Sequence, residues 1–137
     1  MLYAIQQHAF STLVQLLKER LEQADSPEDR LKAVIDNHFH FFVANMDEFK
    51  VCVHEMETLS GKYYREVLKT RQEYFDLVRE TVNESHRGSQ YEIDTATLFL
   101  FGSLNWSYMW YDAEKNADID KLSSHFLRVF LNGINEH

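Results

Sequence analysis

The sequence predicts an all-α fold: a single domain of six helices, the last two forming a four-helix dimer interface with a second copy of the chain. Three observations carry this expectation. The 137 residues contain one proline, Pro27, and four glycines, too few turn formers for many short strands. Apolar residues make up 45% and aromatics 14%, enough for the core of one domain. Along most of the chain, apolar positions recur at the spacing of one helix face.

The first helix is expected over residues 2–23, with Leu2, Ile5, Ala9, Leu13, Leu16 and Leu17 at helical spacing. Asp25-Ser26-Pro27-Glu28 reads as a break and a restart. Ser26 suits the N-cap, Pro27 the first helical position, and Glu28 and Asp29 the positive end of the helix dipole. A second helix then runs to about Asn45, lined by Leu31, Val34, Ile35, His38, Phe41 and Phe42. Asn45-Met46-Asp47 is a bend, with Asp47 capping a short third helix over residues 48–58, and Ser60-Gly61 interrupts the chain again.

The fourth helix is long, over residues 62–86, with a stripe of Tyr64, Val67, Leu68, Arg71, Tyr74, Phe75, Val78 and Val82. His86-Arg87-Gly88-Ser89 ends it, with cations near its C-terminus and Gly88 available for a left-handed turn. Asp94 or Thr95 then caps a fifth helix that ends near Asp112. Residues 114–118 form a polar loop. Asp118 or Asp120 starts the sixth helix, and Gly133 follows it.

The stretch from Leu98 to Asp112, LFLFGSLNWSYMWYD, is the most informative. As a helix it is apolar on nearly every side, so it needs cover all round, from its own domain and from a second copy. Gly102 alone lies inside a helix, where glycine costs about 1 kcal/mol against alanine, which suggests a close approach by another helix. Trp106 and Trp110 share a face, as do Phe126 and Phe130. The final helix carries two stripes: Ile119, Leu122, Phe126, Val129 and Phe130, then Leu127, Leu131 and Ile134. One stripe faces the domain and the other a partner. The dimer seam is assigned to Gly102, Asn105, Trp106, Met109, Phe126, Leu127 and Phe130.

Several function classes are disfavoured. A net charge of −8 argues against this chain holding a nucleic-acid backbone, or an anionic membrane, by itself. Cys52 is the single cysteine, so no internal disulfide forms, as suits a reducing compartment. No basic leader and no run of ~20 apolar residues is seen, so a soluble, cytoplasmic protein is expected. The segment starting His54-Glu55 has Thr58 where the zinc motif HExxH needs its second histidine. No histidine follows a glutamate at the Glu-x-x-His spacing of helical di-iron sites. No phosphate-binding glycine loop, nucleophile elbow or recognisable nucleophile–base pair is present. Neither enzyme activity nor a cofactor is expected. A looser metal set of Asp36, His40 and His54 is the one alternative of that kind.

The helix Phe101-Gly102-Ser103-Leu104-Asn105-Trp106-Ser107-Tyr108, with Trp110-Tyr111, resembles a segment close to LFGxLNWxYxWY in the C-terminal regulatory domain of TetR/AcrR-type transcriptional regulators. His54-Glu55 with Leu59, Arg71, Tyr74 and Val78 is similar to the preceding segment of those proteins. Leu2-Tyr3-Ala4-Ile5 resembles the start of the helix after their DNA-binding head, and FLRVFLNGI, from Phe126 to Ile134, their last helix.

The resemblance implies a homodimer built on the last two helices and a small-molecule effector pocket inside the others. Effector binding would shift the affinity of a helix-turn-helix head for operator DNA, as in a repressor. That head is not seen in residues 1–137, so no residue here is assigned to DNA. Pocket candidates are His38, Phe42, Met46 and Tyr74, aromatic, soft or polar groups on helices expected to face inward. They imply a small, partly apolar effector: acyl-CoA-like, aromatic or drug-like. The alternatives are a helical protein-interaction adaptor without a ligand, and the metal-binding helical protein.

Overall fold

A computed structural model describes residues 2–47, 61–86, 88–112 and 118–135. Among them are five α-helices, one 3-10 turn and no strand. They are α1 (Leu2–Glu22), α2 (Pro27–Ala44), α3 (Gly61–Ser85), α4 (Gln90–Trp106), the 3-10 turn Ser107–Met109, and α5 (Ile119–Asn135). The short helix expected over residues 48–58 lies outside the described residues, and with it His54.

The central element is α2, which packs against α1, α3, α4 and α5. That position explains why it is buried on more than a stripe: Leu31, Val34, Ile35, Phe39, Phe41 and Phe42 are all in the core. Ala9, Leu13 and Leu17 from α1, Val78 and Val82 from α3, and Leu100 and Leu104 from α4 close around it. The stripes on α1 and α3 differ from expectation at single positions. Leu16 is partly exposed while Gln6, Val14 and Leu21 are buried; Arg71 points outward and Thr81 is buried.

The α1–α2 connection follows the expected chemistry. Ser26 accepts a hydrogen bond from the Asp29 amide at 3.0 Å, and Pro27 opens the helix. Arg30 then ties three elements together. It donates to the Leu21 carbonyl at 3.1 Å and pairs with Glu84 at 2.8 Å.

The start of α4 is a correction. Its cap is Ser89, not Asp94 or Thr95. Ser89 accepts from the Glu92 amide while Glu92 reaches back to the Ser89 amide, a complete capping box. Asp94 is instead bonded to Arg79 and Gln90, and Thr95 donates to the Tyr91 carbonyl at 2.9 Å. Gly88 does not adopt the left-handed conformation; a Cβ there would sit 3.1 Å from His86 Nε2 and 3.2 Å from the Glu92 Cβ. Crowding against the cap, not backbone freedom, accounts for this glycine.

The end of α4 is a second correction. The α-helix stops at Trp106 and tightens into the 3-10 turn, well before Asp112. The Ser107 hydroxyl donates to the Leu104 carbonyl at 2.6 Å, and the Trp110 and Tyr111 amides both turn back to the Ser107 carbonyl. A serine bonded to its own backbone competes with the helical ladder.

On α5, Asp118 caps through the Lys121 amide at 3.1 Å, as one of the two expected starts. The helix runs past Gly133 to Asn135. Its two expected stripes divide differently: Leu127 is buried, Ile119, Leu122, Phe126, Phe130 and Leu131 pack against the same core, and Val129, expected in the first stripe, is exposed. Among the described residues no helix is long and apolar enough to cross a membrane.

Candidate functional site

The first candidate is a polar column inside the core. Apolar packing fixes α2 so that Asn37 and His38, adjacent in sequence, are both buried. His38 faces α3, where its Nδ1 lies 3.4 Å from the Tyr74 hydroxyl and the two rings stack at 6.4 Å. Asn37 donates to the Leu13 carbonyl at 3.1 Å, linking α2 to α1. Burial pushes the His38 pKa down to about 4, opposed by a side-chain hydrogen bond with Asn105 on α4. Burial pushes the Tyr74 hydroxyl up from its ordinary value, opposed by a hydrogen bond with Asn37. Asn37, His38, Tyr74 and Asn105 therefore connect four helices with neutral groups that donate and accept hydrogen bonds.

Aromatic rings surround the column. Phe101 meets Tyr74 edge-on at 5.7 Å and stacks on Phe75 at 5.5 Å. Phe42, fully buried, meets Tyr111 edge-on at 5.3 Å. Met46, just past α2, is partly buried against the core. Of the four expected pocket residues, His38 and Tyr74 touch, while Phe42 and Met46 lie in the same core near the end of α2.

Two buried amides escaped the sequence reading. Asn37 is one. Gln6 on α1 is the other: it is 0% exposed, with neither side-chain polar atom hydrogen-bonded. The available signal was its register, since Gln6 falls on the same face as Ala9 and Leu13.

The second candidate is external. On α4, Tyr91, Leu98, Gly102, Phe99 and Trp106 lie on the side opposite the buried Ile93, Thr97, Leu100 and Leu104. Leu98, Phe99 and Trp106 are 57%, 72% and 59% exposed. Beyond the helix, Met109 and Trp110 are exposed too. A groove of ≈ 570 Å³ runs between α4 and α5, lined by Thr95, Phe99, Ser103, Phe126, Val129 and Phe130 among others. Among the described residues, a Cβ at Gly102 would meet no atom of another helix within 4 Å, so none of the described helices makes the expected close approach.

Of the residues expected at a dimer seam, Gly102, Trp106 and Met109 stand on the outside. Phe126 and Phe130 are half-buried along the groove. Asn105 reaches inward to His38, and Leu127 is in the core. Of the alternative metal set, His54 lies outside the described residues. Asp36 is paired with Lys32 at 2.8 Å and His40 with Asp120 at 3.2 Å. Among the described residues no group of three His, Cys, Asp or Glu side chains is arranged to hold a metal.

Residues 24–134 match the family described as tetracyclin repressor-like, C-terminal domain. Among curated protein sequences none matches the chain at a significant level. Solved structures give a consistent fold. A TetR-family regulator from Bordetella parapertussis superposes with a TM-score of 0.89 at 18% identity, over 96% of this chain and 70% of that one. The TetR-family regulator PfmR from Thermus thermophilus gives 0.82 at 20% identity, over 98% and 75%. AibR, solved with isovaleryl coenzyme A and operator DNA, gives 0.78 at 16% identity, over 93% and 71%.

Proposed function

Because the chain belongs to the tetracyclin repressor-like C-terminal domain family, and so is the C-terminal domain of a TetR-type transcriptional regulator, we infer that it senses a small effector and dimerises. The observation that carries the reading is the uncovered face of α4. Leu98, Phe99 and Trp106 are more than half exposed on one side of a helix whose other side is in the core. Apolar patches of this kind mark interaction surfaces. A second copy is the occupant: α4 and α5 of each subunit form a four-helix seam, with Gly102, Trp106, Met109, Phe126 and Phe130 in it. Asn105 and Leu127 belong to the subunit interior.

The effector is assigned to the interior, near His38, Phe42, Met46 and Tyr74. Neutral polar groups among aromatic walls suit a small, partly apolar molecule. AibR's isovaleryl coenzyme A makes acyl thioesters a reasonable first probe. An effector that prefers one of two packings of the helices shifts their populations, and the dimer carries that shift to two DNA-binding heads, in the manner of a repressor. Operator contact is assigned to a helix-turn-helix head, not to these residues, whose net charge is −8.

Light scattering at low micromolar concentration tests the reading. A mass twice the 16.3 kDa of the chain is expected. A monomer, with thermal stability unmoved by acyl thioesters, aromatic acids or drug-like amphiphiles, would overturn it.

A further inference from the structure

Gln6 is the one fully enclosed side chain among the described residues with both polar atoms, Nε2 and Oε1, unbonded. Its neighbour Gln7 donates through Nε2 to the Thr70 hydroxyl on α3 at 2.9 Å, yet the buried Gln7 Oε1 is also unbonded. Three buried amide atoms on two successive residues of α1 thus lack partners. Buried polar atoms are nearly always bonded, and each orphan is destabilising. A glutamine retained on the face of Ala9 and Leu13 is a local cost that packing does not explain, the usual mark of a functional position.

Building on the sensing role inferred above, we propose that Gln6 is an effector-binding residue, and that the effector presents it with an uncharged donor–acceptor edge, as a carboxamide or lactam does. The chemistry follows from the side chain. A primary amide donates from Nε2 and accepts at Oε1, so a coplanar N–H and C=O satisfies both at once. A carboxylate only accepts and an ammonium only donates. Either would leave half the amide unpaired and bring a charge into an interior where no Asp, Glu, Lys or Arg is buried among the described residues.

The test compares wild type with Gln6→Met, of similar length and apolar, by thermal melting and titration calorimetry. The probes are isovaleramide and caprolactam, set against isovalerate and isopentylamine. The ligand-free variant is expected to melt roughly 3 °C or more above wild type, because the orphans are gone. The neutral probes should stabilise wild type, and Gln6→Met should bind them at least tenfold more weakly; the charged probes should do neither. A variant that melts below wild type, or binds the neutral probes equally well, overturns the proposal, since the amide is then already satisfied. So does a wild type that ignores both neutral probes. If the variant does not fold, side-chain amide resonances in ¹⁵N-labelled wild type decide: a Gln6 pair unmoved by caprolactam overturns the assignment. A wild type that is dimeric and stabilised by isovaleryl coenzyme A, with Gln6→Met responding equally, sinks this proposal while leaving the sensing role intact.

Discussion

His38 and Tyr74 face each other across the α2–α3 contact, Nδ1 3.4 Å from the phenolic oxygen, with both side chains buried. The imidazole is neutral there, because its pKa is pushed down to about 4 from 6.5. The pair therefore makes stability depend on pH in a defined direction.

Between pH 6.5 and 4 the unfolded chain binds a proton at His38 that the folded chain does not. Stability is then expected to rise with pH through this window and to level off above it. Moving from pH 7.5 to 5.0 should cost about 2 kcal/mol through this residue. Urea melts of wild type and His38→Gln at the two values check this. If the wild-type loss persists undiminished in the variant, His38 is not its source.

Tyr74→Phe keeps the ring contact with Phe101 and removes the hydroxyl that meets His38 and Asn37. A loss of about 1–3 kcal/mol is expected, the range for leaving buried partners unsatisfied. Measured in a His38→Gln background, the loss should shrink. An unchanged value would show that the two side chains act independently.

The cap of α4 gives a clean comparison. Ser89→Ala removes one arm of the capping box and should destabilise the chain by about 1 kcal/mol. Thr95→Ala removes only a hydroxyl bonded back to Tyr91, so it should cost less than half as much. Equal losses would return the cap to where the sequence suggested it.

Gly102 and Trp106 separate core from seam. A Cβ at Gly102 meets nothing among the described residues, so in an isolated subunit Gly102→Ala should stabilise by about 1 kcal/mol through helix propensity. In a dimer whose helices cross there, the same methyl group should weaken association. Trp106→Ala, at a side chain 59% exposed, should lower the sedimentation coefficient toward that of a monomer without loss of helical signal. A large loss of helix would mean that Trp106 holds the subunit itself together.

Among the described residues, helix type and order were legible because the apolar period is long and the turn formers few. The Ser26-Pro27 restart was readable from local chemistry alone, and the structure has it in place. Boundaries set by competing local bonds were harder. Ser89 outranks Asp94 and Thr95 as a cap because Glu92 falls where it completes the box, and Asp94 is drawn to Arg79. Ser107 ends α4 through one hydroxyl bond that no periodicity encodes. Facing directions on α5 were misread at Leu127, since two apolar stripes on one helix do not say which is inner. His38 and Tyr74 were found as polar groups on apolar faces. Gln6 and Asn37 were passed over, because an amide carries no charge and breaks a stripe without announcing itself.

The open face of α4 also bears on how the protein should be handled. If a partner covers Leu98, Phe99 and Trp106, folding and pairing share one equilibrium, and mass action enters every measurement of stability. The denaturation midpoint should then climb as the sample is concentrated. Dilution would populate subunits with bare aromatic surface, the species most prone to aggregate. Melts compared between variants belong at one fixed protein concentration.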